Sequence, residues 1–563
     1  MSGPEHERKK PTALVVTGMH RSGTSLVASV VAGMGVEIGR DLYPADPRNP
    51  KGYFEDAEFL ALQRSILQQC SPADGGHPDW GWTPSEQLDR ARLTAFRGAA
   101  RGLAEARAAP LRTWGWKDPR TTLLLDFWDE ILDDARYVLL YRFPWEVADS
   151  MQRTGEEVFL RHPEWAHRIW TFYNRHLRDF YRRHAGRCLL VSANALPARL
   201  PRFVQLLREK LGIGTQGGPP GDPFDPELFR TGDLADPIVG LTAATSPPAF
   251  QLLEEIDGLA DLRAPKGWTQ ARERSFRFAR RANAAPERPV VVSVIVPCFN
   301  DRDFLLDAVA SVERHAPDDA ELLIVNDGST ETRTLEILQA LRVLGYSVMD
   351  RENGGLSAAR NTGVRNARGR YLLPLDADNR IRHGFLHAAV ARLDADPGIG
   401  VVYGDRELFG WRRGRVPVAE FDLRTMLRSN YIDACAVFRR EVWNDCGGYD
   451  EGLSGLEDWD LWIGAAEHGW RFHRLDEVTF DYRVRPGSLI EESLRPQVLE
   501  RLLAHVHRKH REVFAAHLPW PLARLPGAAN AAYWRSRWFF RCRAWRRHRR
   551  ELGRSPSRHP VPS

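Results

Sequence analysis

A short apolar strand that runs directly into a glycine-rich loop and then a helix constrains this chain most. Residues 13–16 are the strand, Thr17-Gly18-Met19-His20-Arg21-Ser22-Gly23-Thr24-Ser25 the loop, and 25–31 the apolar start of the helix. That order suits a phosphate cradle, because a helix N-terminus offers free amides and the positive end of a dipole. Gly18 and Gly23 stand at the separation of a nucleoside-triphosphate loop, but Thr24 fills the position of its lysine. The loop is left with backbone amides, the hydroxyls of Ser22, Thr24 and Ser25, and Arg21 as its cation. Strands expected at 137–141 and 189–192, separated by helical stretches such as 165–183, give an α/β unit with a mainly parallel sheet.

At 563 residues the chain has room for two such units. The Gly, Pro and Asp-rich stretch "GIGTQGGPPGDPFDP" reads as a loop or linker, and 248–281 returns to helical spacing as a bridge. A second α/β unit opens near Val290, with strands expected at 291–296, 321–326 and 370–374. The expected layout is a polar N-terminus (1–10), a phosphate-loop unit (11–245), a helical linker (246–287), a second α/β unit (288–515) and a basic aromatic tail (516–563).

The six cysteines lack paired spacing, which argues against a zinc site or a disulfide framework. The net charge of +5 is outweighed by eight arginines between Arg535 and Arg550, so the body is near neutral and nucleic acid binding is not indicated. In the tail those arginines alternate with Trp534, Trp538, Phe539, Phe540 and Trp545. Such a segment suits an anionic membrane surface, or equally a solvated or partly disordered basic tail or one packed on the protein itself. No apolar run reaches a membrane-spanning length and the N-terminus lacks the apolar core of a signal peptide. A cytoplasmic protein, peripheral at the inner face of the membrane if the tail binds lipid, is expected.

Further along the first unit, "YRFPWEVADSMQRT" places Arg142 at a strand end and Ser150 eight residues on, in a helix. The two can converge on one extra phosphate. With the lysine-free loop, this region resembles a sulfotransferase dependent on PAPS (3'-phosphoadenosine 5'-phosphosulfate), with a P-loop-type parallel sheet. The resemblance implies that Arg21, Ser22, Gly23, Thr24 and Ser25 bind the 5'-phosphosulfate, and Arg142 with Ser150 the 3'-phosphate. In "WGWKDPRT", Lys117 would stabilise charge on the donor's bridging oxygen. In "KGYFED", Glu55 or Asp56 would deprotonate the acceptor, Glu55 being the first choice. The R-K-G-x-x-G element of small-molecule sulfotransferases is absent, which favours a carbohydrate-type or bacterial branch.

The second unit carries "VSVIVPCFND", "LLIVNDGST", "NGGLSAARNTG", "YLLPLDADN" and "GLEDWDLWI" in order. Polar residues at successive strand ends mark the carboxyl edge of a sheet, where open α/β folds bind ligands. Asp376 and Asp378 aim two carboxylates at a common hard cation such as Mg²⁺ or Mn²⁺. This half resembles a family 2 glycosyltransferase of GT-A (Rossmann-like) fold. The resemblance implies that Pro297, Asn300 and Asp301 line the nucleotide entrance, that Asp327 contacts the base and Arg360 the nucleotide side. It makes Asp376 and Asp378 the metal pair, Asp376 also facing the nucleotide-diphospho-sugar, Asp458 the base of an inverting transfer, and Glu457 an acceptor-placing group. Arg485, in "YRVRPGSLI", stands where the family often has a metal-binding histidine and is open to direct contact with the diphosphate.

Together the halves imply a bifunctional enzyme that sulfates a carbohydrate hydroxyl and transfers a sugar to a glycan or glycolipid acceptor. The rivals are a glycosyltransferase whose phosphate-loop unit does not catalyse or acts otherwise, a non-catalytic glycan-binding scaffold, and a phosphate-loop kinase.

Overall fold

The computed structural model describes residues 11–45, 52–108, 113–214, 232–271, 276–281, 289–493 and 495–518. The basic aromatic tail from residue 519 and the N-terminal ten residues lie outside them. The chain divides into two compact units, Met1–Arg274 and Ser275–Ser563.

The first unit is built on β1 (Thr12–Gly18), β2 (Glu37–Ile38), β3 (Thr113–Lys117), β4 (Ala135–Tyr141) and β5 (Cys188–Ser192). All pair in parallel in the order β2-β3-β1-β4-β5, so the loop-bearing β1 is central. Alternate side chains fall into two cores, as a sheet covered on both faces requires. Ala13, Val15, Tyr137, Leu139 and Cys188 meet Phe59, Trp116, Trp128 and Trp170. Leu14, Val16, Val138, Leu140 and Leu189 meet Val27, Val31, Phe203 and Leu207. Gly18 closes β1 because a Cβ there would come within 2.3 Å of the Leu140 carbonyl oxygen.

Residues 246–271 are not a free linker. The helix Pro247–Leu259 packs on the helix Trp165–His184, where Arg178 and Arg182 both reach Glu255. Tyr141 donates to Asp257 at 2.5 Å, and Ser192 N donates to Leu262 O at 2.8 Å, extending the β5 edge. The periodicity showed an amphipathic helix but not the surface that it covers.

The second unit holds β6 (Val292–Cys298), β7 (Ala320–Asp327), β8 (Ser347–Arg351), β9 (Tyr371–Pro374), β10 (Arg380–Ile381), β11 (Ile399–Gly410), β12 (Gly414–Val416), β13 (Val437–Arg439) and β14 (Arg471–Val484). Their order is β10-β14-β11-β13-β9-β6-β7-β8, with β12 on β11. The strands β9-β6-β7-β8 are parallel, and β13 joins them antiparallel to the parallel β11–β14 pair. The long β14 was not foreseen, because its sequence RFHRLDEVTFDYRV is largely polar and half-exposed. The helix Glu457–Glu467 starts from Leu456, held at φ +63°, and buries Trp459, Trp462 and Ile463 in this unit's core.

The described cysteines are all free. Among the described residues no helix is long and apolar enough to cross a membrane.

Candidate active sites

In the first unit, the loop after β1 opens the helix Thr24–Gly33, whose start is capped by no side chain and holds no acidic residue. Gly23 takes the left-handed φ of +82°, and so does Arg21 at +66°, a conformation that costs a non-glycine residue about 1–2 kcal/mol. Held this way, Arg21 donates from Nε to Ser150 Oγ at 2.9 Å, while Arg142 donates from Nη1 to the Arg21 carbonyl at 3.3 Å. Arg21 therefore meets Arg142 and Ser150, which lie 121 and 129 positions further along the chain. Burial, then the neighbouring guanidiniums of Arg153 and Arg142, depress the Arg21 pKa. Such crowding of cations is relieved by an anion. The Ser22 hydroxyl is buried without a hydrogen-bond partner. Thr24 is buried, and Ser25 Oγ donates to Tyr53 O at 3.2 Å. Arg142 is itself buried and donates from Nε to Glu146 at 2.8 Å, a carboxylate also held by Asn194 and the Gly232 amide.

Beside the loop, Lys117 Nζ lies 2.7 Å from Glu55 Oε1 and 2.9 Å from Tyr53 O, so Lys117 and Ser25 share one carbonyl. Burial opposes ionisation of Glu55, but Lys117 and Arg120 outweigh it and hold the carboxyl below its usual range. Asp56 faces elsewhere: it caps the helix Ala57–Cys70 through the Glu58 and Phe59 amides and pairs with Arg107. Two residues that the sequence reading did not assign also belong here. Arg120 contacts Glu55 at 3.4 Å and Asp118 at 3.0 Å. His20 stacks on Trp80 with ring centroids 4.0 Å apart, and its Nε2 is buried without a partner.

In the second unit, the D-x-D pair follows β9 at the carboxyl edge of the sheet. Arg360, from the helix Leu356–Asn366, is fully buried and donates to Asp376 Oδ1 at 2.7 Å and to Glu457 Oε1 at 2.5 Å. It is thus an internal brace between the D-x-D loop and the start of the helix Glu457–Glu467. Burial raises the Asp376 pKa to about 6, with Arg360 opposing and Asp433 and Asp378 adding to the rise. Arg485 donates from Nε to Asp378 Oδ2 at 2.6 Å and from Nη2 to Asp301 Oδ1 at 3.0 Å. Asp301 also lies at about 6, through burial, against Arg485, and with Asp378.

Pro297 is buried within β6. Asn300, at φ +60°, accepts from the Thr330 and Glu331 amides and so closes the loop beyond β7. Asp327 is buried and accepts from the Gly354 and Gly355 amides and from Arg351. These contacts make Asn300 and Asp327 builders of the strand-end loops.

Asp458 accepts from Asn430 Nδ2 at 3.0 Å. Burial, then the charges of Glu457 and Asp433, push its pKa up to about 7. Around it Arg360 Nε, Glu457 Oε2, Tyr449 Oη and Asn430 Oδ1 are all buried without partners. Buried polar atoms without a protein partner are uncommon, so this cluster marks a distinctly polar surrounding for Asp458. Sequence reading missed Asn430 and Asp433, which lie in no recognisable motif and reach the site only through the fold.

Among the described residues no three His, Cys, Asp or Glu side chains are placed to hold a metal ion. Asp376 and Asp378 fit a cation as a pair: each commits one oxygen to an arginine, and Asp376 Oδ2 has only a long 3.5 Å contact with Asn379.

The second unit is an α/β domain with a mixed sheet and a carboxylate-lined edge. Residues 293–447 match the family model for glycosyl transferase family 2, and this segment is a family 2 glycosyltransferase domain. The match lies wholly within the second unit; the first unit is shown as an α/β unit with a parallel sheet. The chain is 29% identical over 229 residues to the uncharacterized glycosyltransferase EpsJ of Bacillus subtilis, covering 38% of this chain and 66% of the relative. It is 27% identical over 213 residues to a chondroitin synthase of Escherichia coli, covering 37% and 30%. The chain thus spans less than two thirds of the length of either relative. The crystal structure of S. aureus TarS 1-349 in complex with UDP-GlcNAc is 21% identical, covers 40% of this chain and 71% of that one, and superposes with a TM-score of 0.35.

Proposed function

We propose that the second unit transfers a sugar with inversion from a nucleotide-diphospho-sugar to a hydroxyl of a glycan or glycolipid. The observation that carries this is the ion-pair chain Asp376–Arg360–Glu457, with Arg360 and Glu457 buried and Asp376 partly exposed, which ties the D-x-D loop to the helix that bears Asp458. Asp458, as carboxylate, takes the proton of the acceptor hydroxyl, whose oxygen bonds to the anomeric carbon as the bond to the diphosphate oxygen breaks. Asn430 orients the carboxylate, and the orphaned polar atoms beside it bind the acceptor's other hydroxyls. A divalent ion held by Asp376 and Asp378 would neutralise charge on the leaving diphosphate. Asp458→Asn is expected to lower nucleotide release from the accepted sugar nucleotide by about 10² to 10⁴-fold while nucleotide binding persists. An active Asp458→Asn enzyme overturns the assignment.

The first unit, in the same reading, transfers a sulfuryl group from PAPS to a hydroxyl of a carbohydrate. Its support is the meeting of Arg21, Arg142 and Ser150 beside a phosphate-type loop whose Ser22 hydroxyl is buried without a protein partner. The loop from Arg21 to Ser25 holds the phosphosulfate, and Arg142 with Ser150 the 3'-phosphate. Glu55 takes the acceptor proton, the acceptor oxygen bonds to sulfur, and the bond from sulfur to the bridging oxygen breaks. Lys117 meets the charge left on that oxygen, and as it turns away from Glu55 the carboxylate regains basicity. Calorimetric titration of the full chain with adenosine 3',5'-bisphosphate tests this, with ATP as control. Micromolar binding, lost in Arg142→Ala and not matched by ATP, is expected; a folded chain that does not bind it overturns the sulfotransferase reading.

A further inference from the structure

β14 carries Arg483, and Arg485 follows directly after its end at Val484; both reach the D-x-D loop, Arg483 at the Asp378 carbonyl and Arg485 at the Asp378 carboxylate. Arg483 is fully buried against the rings of Phe304 and Phe409, each 4.3 Å from its guanidinium. It donates from Nε to the Asp378 carbonyl at 3.0 Å, and its amide donates to Asn379 at 2.9 Å. Arg483 is therefore part of the scaffold. Arg485 differs: it is partly exposed, with its guanidinium between the side chains of Asp378 and Asp301. Its Nη1 has no hydrogen-bond partner among the described residues.

Three carboxylates, Asp301, Asp376 and Asp378, thus face the place where the reading of this unit as a glycosyltransferase puts a diphosphate. Such a group would be repelled unless cations stood between. Among the described residues no third His, Cys, Asp or Glu joins Asp376 and Asp378 as a metal-holding group, and Arg485 covers one oxygen of Asp378. A guanidinium is permanently charged and presents a planar fork that matches phosphate oxygens in pairs.

We propose that Arg485 is a diphosphate-binding residue: it is the built-in cation of the donor site and takes over the share of charge neutralisation that a third metal ligand would otherwise secure. The donor's nucleoside diphosphate is consequently held without an obligatory divalent ion.

The test is calorimetric titration of the full chain with UDP and, separately, GDP, each in EDTA and in excess Mn²⁺. Wild type is compared with Arg485→Ala, Arg485→Lys and Arg485→His, and unfolding temperatures confirm that each variant is folded. Wild type is expected to bind one of the nucleotides in EDTA within about tenfold of its affinity in Mn²⁺. Arg485→Ala should lose about tenfold or more in EDTA, the scale of a lost charged hydrogen bond, and less in Mn²⁺. Arg485→Lys should recover part of the loss, and Arg485→His should bind only with Mn²⁺. Wild-type binding that vanishes in EDTA, or an Arg485→Ala chain that matches wild type there, overturns the inference alone. Binding of neither nucleotide in either buffer overturns the glycosyltransferase reading and the inference with it.

Discussion

Asp458 carries a testable pH dependence. Its pKa of about 7 comes from burial first and from Glu457 and Asp433 next; an ordinary aspartate lies near 3.9. A base works in its ionised form, so the rate of nucleotide release should fall about tenfold per unit as pH drops below about 7 and level off above it. Glu457→Gln removes one of the charges that raise the pKa and should move that limb to lower pH. A wild-type profile flat from pH 5 to 8 would show that Asp458 is not the titrating base. The D-x-D and E-D motifs were legible because each is a contiguous string at the end of a strand or the start of a helix. Asn430, which bonds Asp458 across 28 positions, and Asp433 carry no local pattern. The same holds in the first unit, where Lys117 and Glu55 were each marked by motif but their 2.7 Å pairing was not.

The helix Pro247–Leu259 is the element whose role the sequence most understated. Its apolar stripe places Phe250, Leu253 and Ile256 in the first unit's core beside Trp145. Burying each such side chain contributes roughly 1.5–3 kcal/mol. A fragment ending at residue 245 should therefore have a clearly lower urea midpoint than one ending at residue 271, or fail to fold. Equal midpoints would return 246–271 to the status of a linker. An amphipathic period announces that one face is covered, but not by what, and the neighbouring Pro and Gly residues favoured a linker. The buried strands were easier: β1, β4, β5, β6, β7 and β9 are largely apolar runs, and parallel strands covered on both faces must be. β11 and β14 escaped because strands partly open to solvent mix charged and apolar residues, and so resemble loops.

Over the whole molecule, two α/β units in tandem follow from length and from two separate series of strand-end motifs, since each series demands its own sheet. The glycine-rich loop, the D-x-D pair and the absence of paired cysteines are likewise properties of the sequence by itself, because each depends on residues within a few positions of one another. Tertiary structure alone decided that Arg21 meets Ser150, that Arg360 spans Asp376 and Glu457, and that Arg485 reaches both Asp378 and Asp301. Those partners lie up to 184 positions apart. The order in which strands cross over and pair brings them together, and that order is set by burying whole faces of helices and sheets rather than by any local signal.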